Sequence, residues 1–167
     1  MGFLLTQSAI NVIFNILMFG AGAFWVIRLP VRLPKSVSAL IMVISLAIPL
    51  SLDHSIGVPP IDLYDTNIFP WLTLSELPTW GLYPISGYLF IYFYDKWKIK
   101  GLSIPIYVLA WTLFGTVFEA IAVSFGVFIY KGWALRYSFL IYLIVQLMIV
   151  IVFKILMSEC NRLKEGN

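Results

Sequence analysis

Residues 103–125 read SIPIYVLAWTLFGTVFEAIAVSF, an apolar run about as long as a bilayer is thick, roughly 20 residues. Its one charged side chain is Glu119. Thr112, Gly115, Glu119, Ala122 and Gly126 fall at helical spacing, which predicts a helix with small residues down one side. A second helix can pack closely on such a stripe. A carboxylate set into it is expected to face protein or water, because facing lipid costs several kcal/mol.

Composition extends that reading to the whole chain. It is 61% hydrophobic and 11% charged, whereas a soluble domain is nearer half apolar and a quarter charged. The expected fold is all-α, a polytopic transmembrane helix bundle forming one unit over residues 1–167. Five spans emerge, at about 4–27, 36–52, 75–94, 103–125 and 138–157. The net charge is only +3, and the basic residues sit in short loops. Nucleic acid is therefore not an expected partner, and the lipid bilayer is. Cys160 is the sole cysteine, so an internal disulfide is impossible. The N-terminus lacks a basic n-region and its apolar stretch is too long for an h-region, which argues against a cleaved signal peptide.

Polar residues punctuate the spans at regular intervals. In the first, Gln7, Asn11 and Asn15 are four apart on one face. They can glue helices together through amide hydrogen bonds or line a cavity. The link RLPVRLPK, residues 28–35, cannot continue a helix through its two prolines. The second span is nearly free of polar groups and reads as a lipid-facing or packing helix. The longest connection, DHSIGVPPIDLYDTNIFP at 53–70, has no Lys or Arg and no obvious structure of its own. A loop of that length is functional or mobile.

Ser75 is a good N-cap for the third span, Pro78 suits its first turn and Pro84 should kink it. Glu76, Tyr83 and Ser86 or Gly87 share a face there. In the fifth span Ser138, Tyr142 and Gln146 are four apart. The tail from Ser158 onward reads as polar and solvated.

Charge sets an expected orientation. Arg28, Arg32, Lys35, Lys96, Lys98, Lys100, Lys154, Arg162 and Lys164 are nine of the 11 basic residues, and all fall on one side of the five-span path. The positive-inside rule then puts the C-terminus in the cytoplasm and the N-terminus outside. Asp53, His54, Glu76, Ser138 and Tyr142 come to the outer side. Glu119, about 24 Å along its helix, joins them.

Three readings of that outer cluster stand. Glu76 and Glu119 can pair with Lys131, Arg136 or His54 and simply pin helices together. The cluster can instead bind or pass a small molecule, an ion or a lipid headgroup around Glu119, with Glu76, His54, Asp53, Asn15 and Tyr142 as candidate ligand-binding residues. Asp53, His54, Glu76 and Glu119 can also be written as an acid–base pair or mixed metal site of an intramembrane enzyme. A single histidine and the absence of HExxH, GxSxG, CxxC and phosphate-cradling motifs weigh against catalysis. No catalytic residue, metal ligand or cofactor is assigned. Lys131, Trp133, Arg136 and Tyr137 read as interfacial anchors or as a headgroup site.

The runs LDHSIGVPP, LYDTN and YFYDKW, then Glu119 followed by GVFIYKGW and YSFLIY, resemble a family of small uncharacterised multi-span integral membrane proteins of endospore-forming Gram-positive bacteria. The resemblance covers most of the chain after Leu52. It implies a bacterial plasma-membrane protein without an assigned activity. It marks Asp53, His54, Tyr64, Asp65, Glu119, Tyr130, Trp133, Tyr137 and Ser138 as the positions that matter. The resulting expectation is a non-enzymatic membrane component with an outward-facing polar pocket. Because five short helices bury little, a homo-oligomer or a partner subunit is expected beside it.

Overall fold

A computed structural model of the chain describes residues 2–66 and 76–165, with side chains described from residue 9. The described residues form five helices, α1 Gly2–Arg28, α2 Lys35–Asp53, α3 Leu77–Lys96, α4 Ser103–Ser124 and α5 Leu135–Glu165. Two short strands, β1 Tyr64–Thr66 and β2 Phe128–Tyr130, complete them. Gln7 and Ser75 lie outside the described side chains, so the roles expected for them lie there too.

Local chemistry places the helix ends. Proline prevents the preceding residue from staying helical, and α1 stops just before Leu29-Pro30. Pro34 occupies the position before α2, with φ −55°. Pro78 sits in the first turn of α3, where its missing N–H is tolerated. Gly126 ends α4 with φ +75°. Its N–H bonds to the Val123 carbonyl at 2.9 Å and that of Val127 to the Ala122 carbonyl at 3.0 Å. These are the two bonds of a glycine-terminated helix stop.

The expected all-α class holds, with two differences. The connection after Asp53 is not structureless, because β1 pairs antiparallel with β2 of the link between α4 and α5. The lone carbonyl of Leu63 takes N–H groups from Lys131, Gly132 and Trp133 at 2.9–3.1 Å. Buried backbone groups must find partners, and neither connection can find them alone. The polar tail is helical as well as exposed, since α5 runs on to Glu165.

Four helices are long and apolar enough to cross a membrane: the Ala9–Arg28 part of α1, then α2, α4 and α5. The exception, α3, is 20 residues and about 30 Å long. It packs on both α1 and α2. Large exposed apolar side chains such as Ile13, Leu17, Phe114, Val117, Ile144 and Ile151 belong to α1, α4 and α5. Between Leu77 and Trp97, α3 exposes none. A helix enclosed by other helices has no need of uniform apolarity, which explains the tyrosines and prolines of α3.

The two ends of the bundle differ. Toward the loops rich in Lys and Arg lies the apolar core, where Val37, Ile41, Phe90, Ile91, Val108 and Phe153 meet. Arg32 Nε donates to Asp95 Oδ2 at 2.5 Å across that end. Toward the strands the buried residues include Asn11, Asn15, Glu76, Thr79, Glu119 and Ser138.

Candidate functional site

The strand end is built around two carboxylates, each held by hydroxyl groups. Glu119 projects from the small-residue stripe of α4 toward α5. Ser138 Oγ donates to its Oε1 at 2.6 Å. Tyr130 also donates to Oε1, and Tyr142 to Oε2. Trp133 Nε1 in turn donates to Ser138 Oγ at 2.8 Å. Gly115 of the stripe faces Tyr142: a Cβ there would stand in ordinary contact with its ring, at 3.4 Å. One turn deeper Thr112 Oγ1 donates to Gln146 Oε1 at 2.9 Å. The four-residue spacing of Ser138, Tyr142 and Gln146 is therefore matched by Glu119 and Thr112 on the facing helix.

Asp53, the last residue of α2, repeats the arrangement. Tyr64 donates to its Oδ1 at 2.8 Å and Tyr83 to its Oδ2 at 2.9 Å. Tyr64 and Tyr130 are ladder partners, so their side chains leave the same face of the sheet. One small sheet thus supplies a tyrosine to each carboxylate. Burial, then the nearby charge of Asp53, pushes the Tyr64 hydroxyl well above the ordinary tyrosine range. Burial followed by the hydrogen bond to Glu119 does the same at Tyr130. Both remain O–H donors.

Gly57 permits the turn beneath Tyr64. A Cβ there would meet the Asp53 carbonyl at 2.6 Å and the Tyr64 ring at 3.2 Å.

Asp53 and Glu119 both line one cavity of about 560 Å³ that extends into the bundle between the helices. Most of its wall is apolar, and all five helices and both strands contribute. Asn15 and Tyr142 line it as well, so four of the six candidate ligand-binding residues meet there. The other two do not. His54 is exposed, just past the end of α2, with Nδ1 2.8 Å from the Leu50 carbonyl of that helix. Glu76 is buried at the start of α3, outside the lining. Among the described residues no three His, Cys, Asp or Glu side chains are grouped as a metal site requires.

The amides of α1 combine their two expected roles. Asn15 Nδ2 donates to Asn11 Oδ1 at 2.8 Å, and Asn11 Nδ2 to the Gly126 carbonyl at 2.7 Å. They tie α1 to the turn after α4 while Asn15 faces the cavity.

The basic residues of the strand end are engaged away from Glu119. Lys131 Nζ lies 2.8 Å from Asp62 Oδ1 and 2.9 Å from Asp65 Oδ1. Those two acidic hydrogen-bond partners raise its pKa. Arg136 stacks on the Tyr137 ring at 5.0 Å, and its Nη2 donates to that hydroxyl at 3.1 Å. Trp133 packs between Tyr64 and Tyr137. Of the four candidate headgroup residues, only Trp133 lines the cavity.

Two lining residues escaped sequence reasoning. Ser45 and Thr79 are buried, and among the described residues neither hydroxyl has a hydrogen-bond partner. The available signal was the spacing of Ser45, Pro49 and Asp53, four apart along α2.

Comparison with protein-family models, curated proteins and solved structures finds no match.

Proposed function

We propose that the chain is a non-enzymatic, multi-pass protein of a bacterial plasma membrane that binds or passes a small ligand at its strand end. All five helices cross the bilayer in this reading, with the strands outside and the C-terminus in the cytoplasm. One observation carries it: a single cavity joins Asp53 and Glu119 from different helices, beneath a two-stranded cover. A purely structural pair of carboxylates has no use for a shared space of that size. The enclosed position of α3 supports its crossing despite its polar content. The Lys- and Arg-rich loops opposite the strands support the orientation. The exposed apolar faces of α1, α4 and α5 suit lipid, and also a second copy or partner subunit.

Cysteine accessibility tests the reading. With Cys160→Ser as background, Thr79→Cys should react with a small membrane-impermeant thiol reagent added to intact cells. Lys98→Cys, in the basic loop after α3, should react only after permeabilisation. Reactivity of Lys98→Cys in intact cells would reverse the orientation. A Thr79→Cys protein inert from both sides, yet folded, would remove the accessible cavity.

A further inference from the structure

We propose that the cavity receives a primary ammonium group carried on an apolar body, held between Asp53 and Glu119 with its hydrocarbon part running toward Ser45. The inference rests on the cavity reading above and adds the chemistry of the occupant.

The charge balance comes first. Both carboxylates are held by neutral donors, and among the described residues neither forms an ion pair. Lys131 is committed to Asp62 and Asp65, and Arg136 lies against Tyr137. Two acidic groups therefore border an apolar space, with no Lys or Arg among the described residues paired to either; only the exposed His54 stands next to Asp53 in the chain. A carboxylate can accept about four hydrogen bonds. Asp53 accepts two and Glu119 three, so acceptor capacity remains for a ligand's N–H groups.

The walls fit the remainder of such a molecule. Tyr64 and Trp133 both line the cavity, with ring centroids 5.5 Å apart, and aromatic rings there can attract a cation. Phe14, Leu82 and Phe118 continue the lining with hydrocarbon.

The unpartnered hydroxyls are the independent sign of a missing occupant. A serine or threonine inside a helix commonly bonds back to the carbonyl four residues earlier. Ser51 does so to Ala47 and Thr116 to Thr112. Ser45, only 5% exposed, does not, and Thr79, in the first turn of α3 and 6% exposed, also lacks a partner among the described residues. Pro49 has no N–H to return to the Ser45 carbonyl, so the usual helix bond is missing at that point of α2. Ser45 lies about 12 Å from Asp53 along the helix. That distance suits an elongated molecule with its charge at the strands.

The probe is 4-phenylbutylamine, protonated at pH 7, and its neutral control is 4-phenylbutan-1-ol. With the purified full chain in a neutral detergent, the amine should stabilise the fold saturably. It should bind at least tenfold more tightly than the alcohol. Asp53→Asn and Glu119→Gln should each weaken the amine at least tenfold and the alcohol far less. The wild-type comparison stands even if a variant fails to fold.

Equal affinity for amine and alcohol would overturn the ammonium inference while leaving the binding cavity intact. Binding of neither, with Thr79→Cys still labelled, would overturn it too. Binding of neither with Thr79→Cys inert would take the cavity reading down as well. Reconstitution identifies the natural source once the amine binds. If phosphatidylethanolamine in a phosphatidylcholine nanodisc competes with the amine, the occupant is a lipid headgroup. An amine unaffected by that lipid assigns the site to a free hydrophobic amine.

Discussion

Tyr64 and Tyr130 face each other across the two-stranded ladder, yet they donate to different carboxylates, Asp53 and Glu119. The sheet therefore couples the end of α2 to the end of α4 through side chains as well as through its backbone. Each pair is a separate contact, which makes the energetics separable. Tyr130→Phe and Glu119→Gln should interact, with a coupling energy of about 1–2 kcal/mol in a double-mutant cycle. Tyr130→Phe and Tyr83→Phe serve different carboxylates and should add within about 0.5 kcal/mol. Reversible unfolding in mixed micelles measures both. Additive behaviour of Tyr130 with Glu119 would contradict the bond between them.

Glu119 should tolerate loss of charge better than loss of its acceptors. Glu119→Gln keeps the shape and one acceptor oxygen, and should cost about 1–3 kcal/mol. In Glu119→Leu the hydroxyls of Tyr130, Ser138 and Tyr142 lose their acceptor together, at a cost of about 3–5 kcal/mol. The leucine variant should express poorly. The glutamine variant should fold and lose function more than a surface change such as Lys98→Gln. Intact expression and phenotype in Glu119→Leu would show that the pocket does not depend on this residue.

Much of this was legible in the chain before any coordinates. Helical spacing around Glu119 placed the stripe that Tyr142 packs on, and the spacing of Ser138, Tyr142 and Gln146 placed the complementary face. Periodicity works there because both helices are long and nearly uniform. The partners of Asp53 were not legible, since Tyr64 reaches it only after β1 has paired with β2, more than 60 residues later in the chain. Short strands carry too few residues for an alternating pattern to declare itself. His54 misled for the opposite reason. Its neighbour Asp53 faces the cavity, but the next residue, past the end of α2, bonds back to Leu50.

Alkaline pH should loosen the strand end first. Tyr64, Tyr130 and Lys131 all titrate above their ordinary values in the folded protein, the tyrosines chiefly through burial and Lys131 through Asp62 and Asp65. A raised value means that the folded state holds its proton when the unfolded state has released it. The associated stability is complete below the ordinary values, about 10 for these groups. It falls as pH rises from there through the raised ones. Unfolding midpoints should therefore be flat from pH 7 to about 9 and decline beyond. Tyr64→Phe with Tyr130→Phe should reduce that decline. An unchanged slope in the double variant would show that neither phenol is responsible.

The packing of α2 on α3 sets a sharper steric test. A Cβ on Gly87 would lie 1.9 Å from Ser45 Oγ and 2.4 Å from Ser45 Cβ, closer than two atoms can sit, and turning the hydroxyl away leaves the Cβ in place. Gly87→Ala should push the helices apart, disturb the cavity wall at Ser45 and destabilise the protein by about 1–3 kcal/mol. Gly20 provides the control, because a Cβ there meets nothing within 4 Å. Gly20→Ala should be neutral or stabilise α1 by up to about 1 kcal/mol, the helix preference of alanine over glycine. Both variants add the same methyl group to an apolar helix. A difference in their unfolding midpoints therefore reports the closeness of α2 and α3 rather than added hydrophobicity. Equal midpoints would mean that Ser45 and Gly87 do not touch, and the deep wall of the cavity would have to be drawn elsewhere.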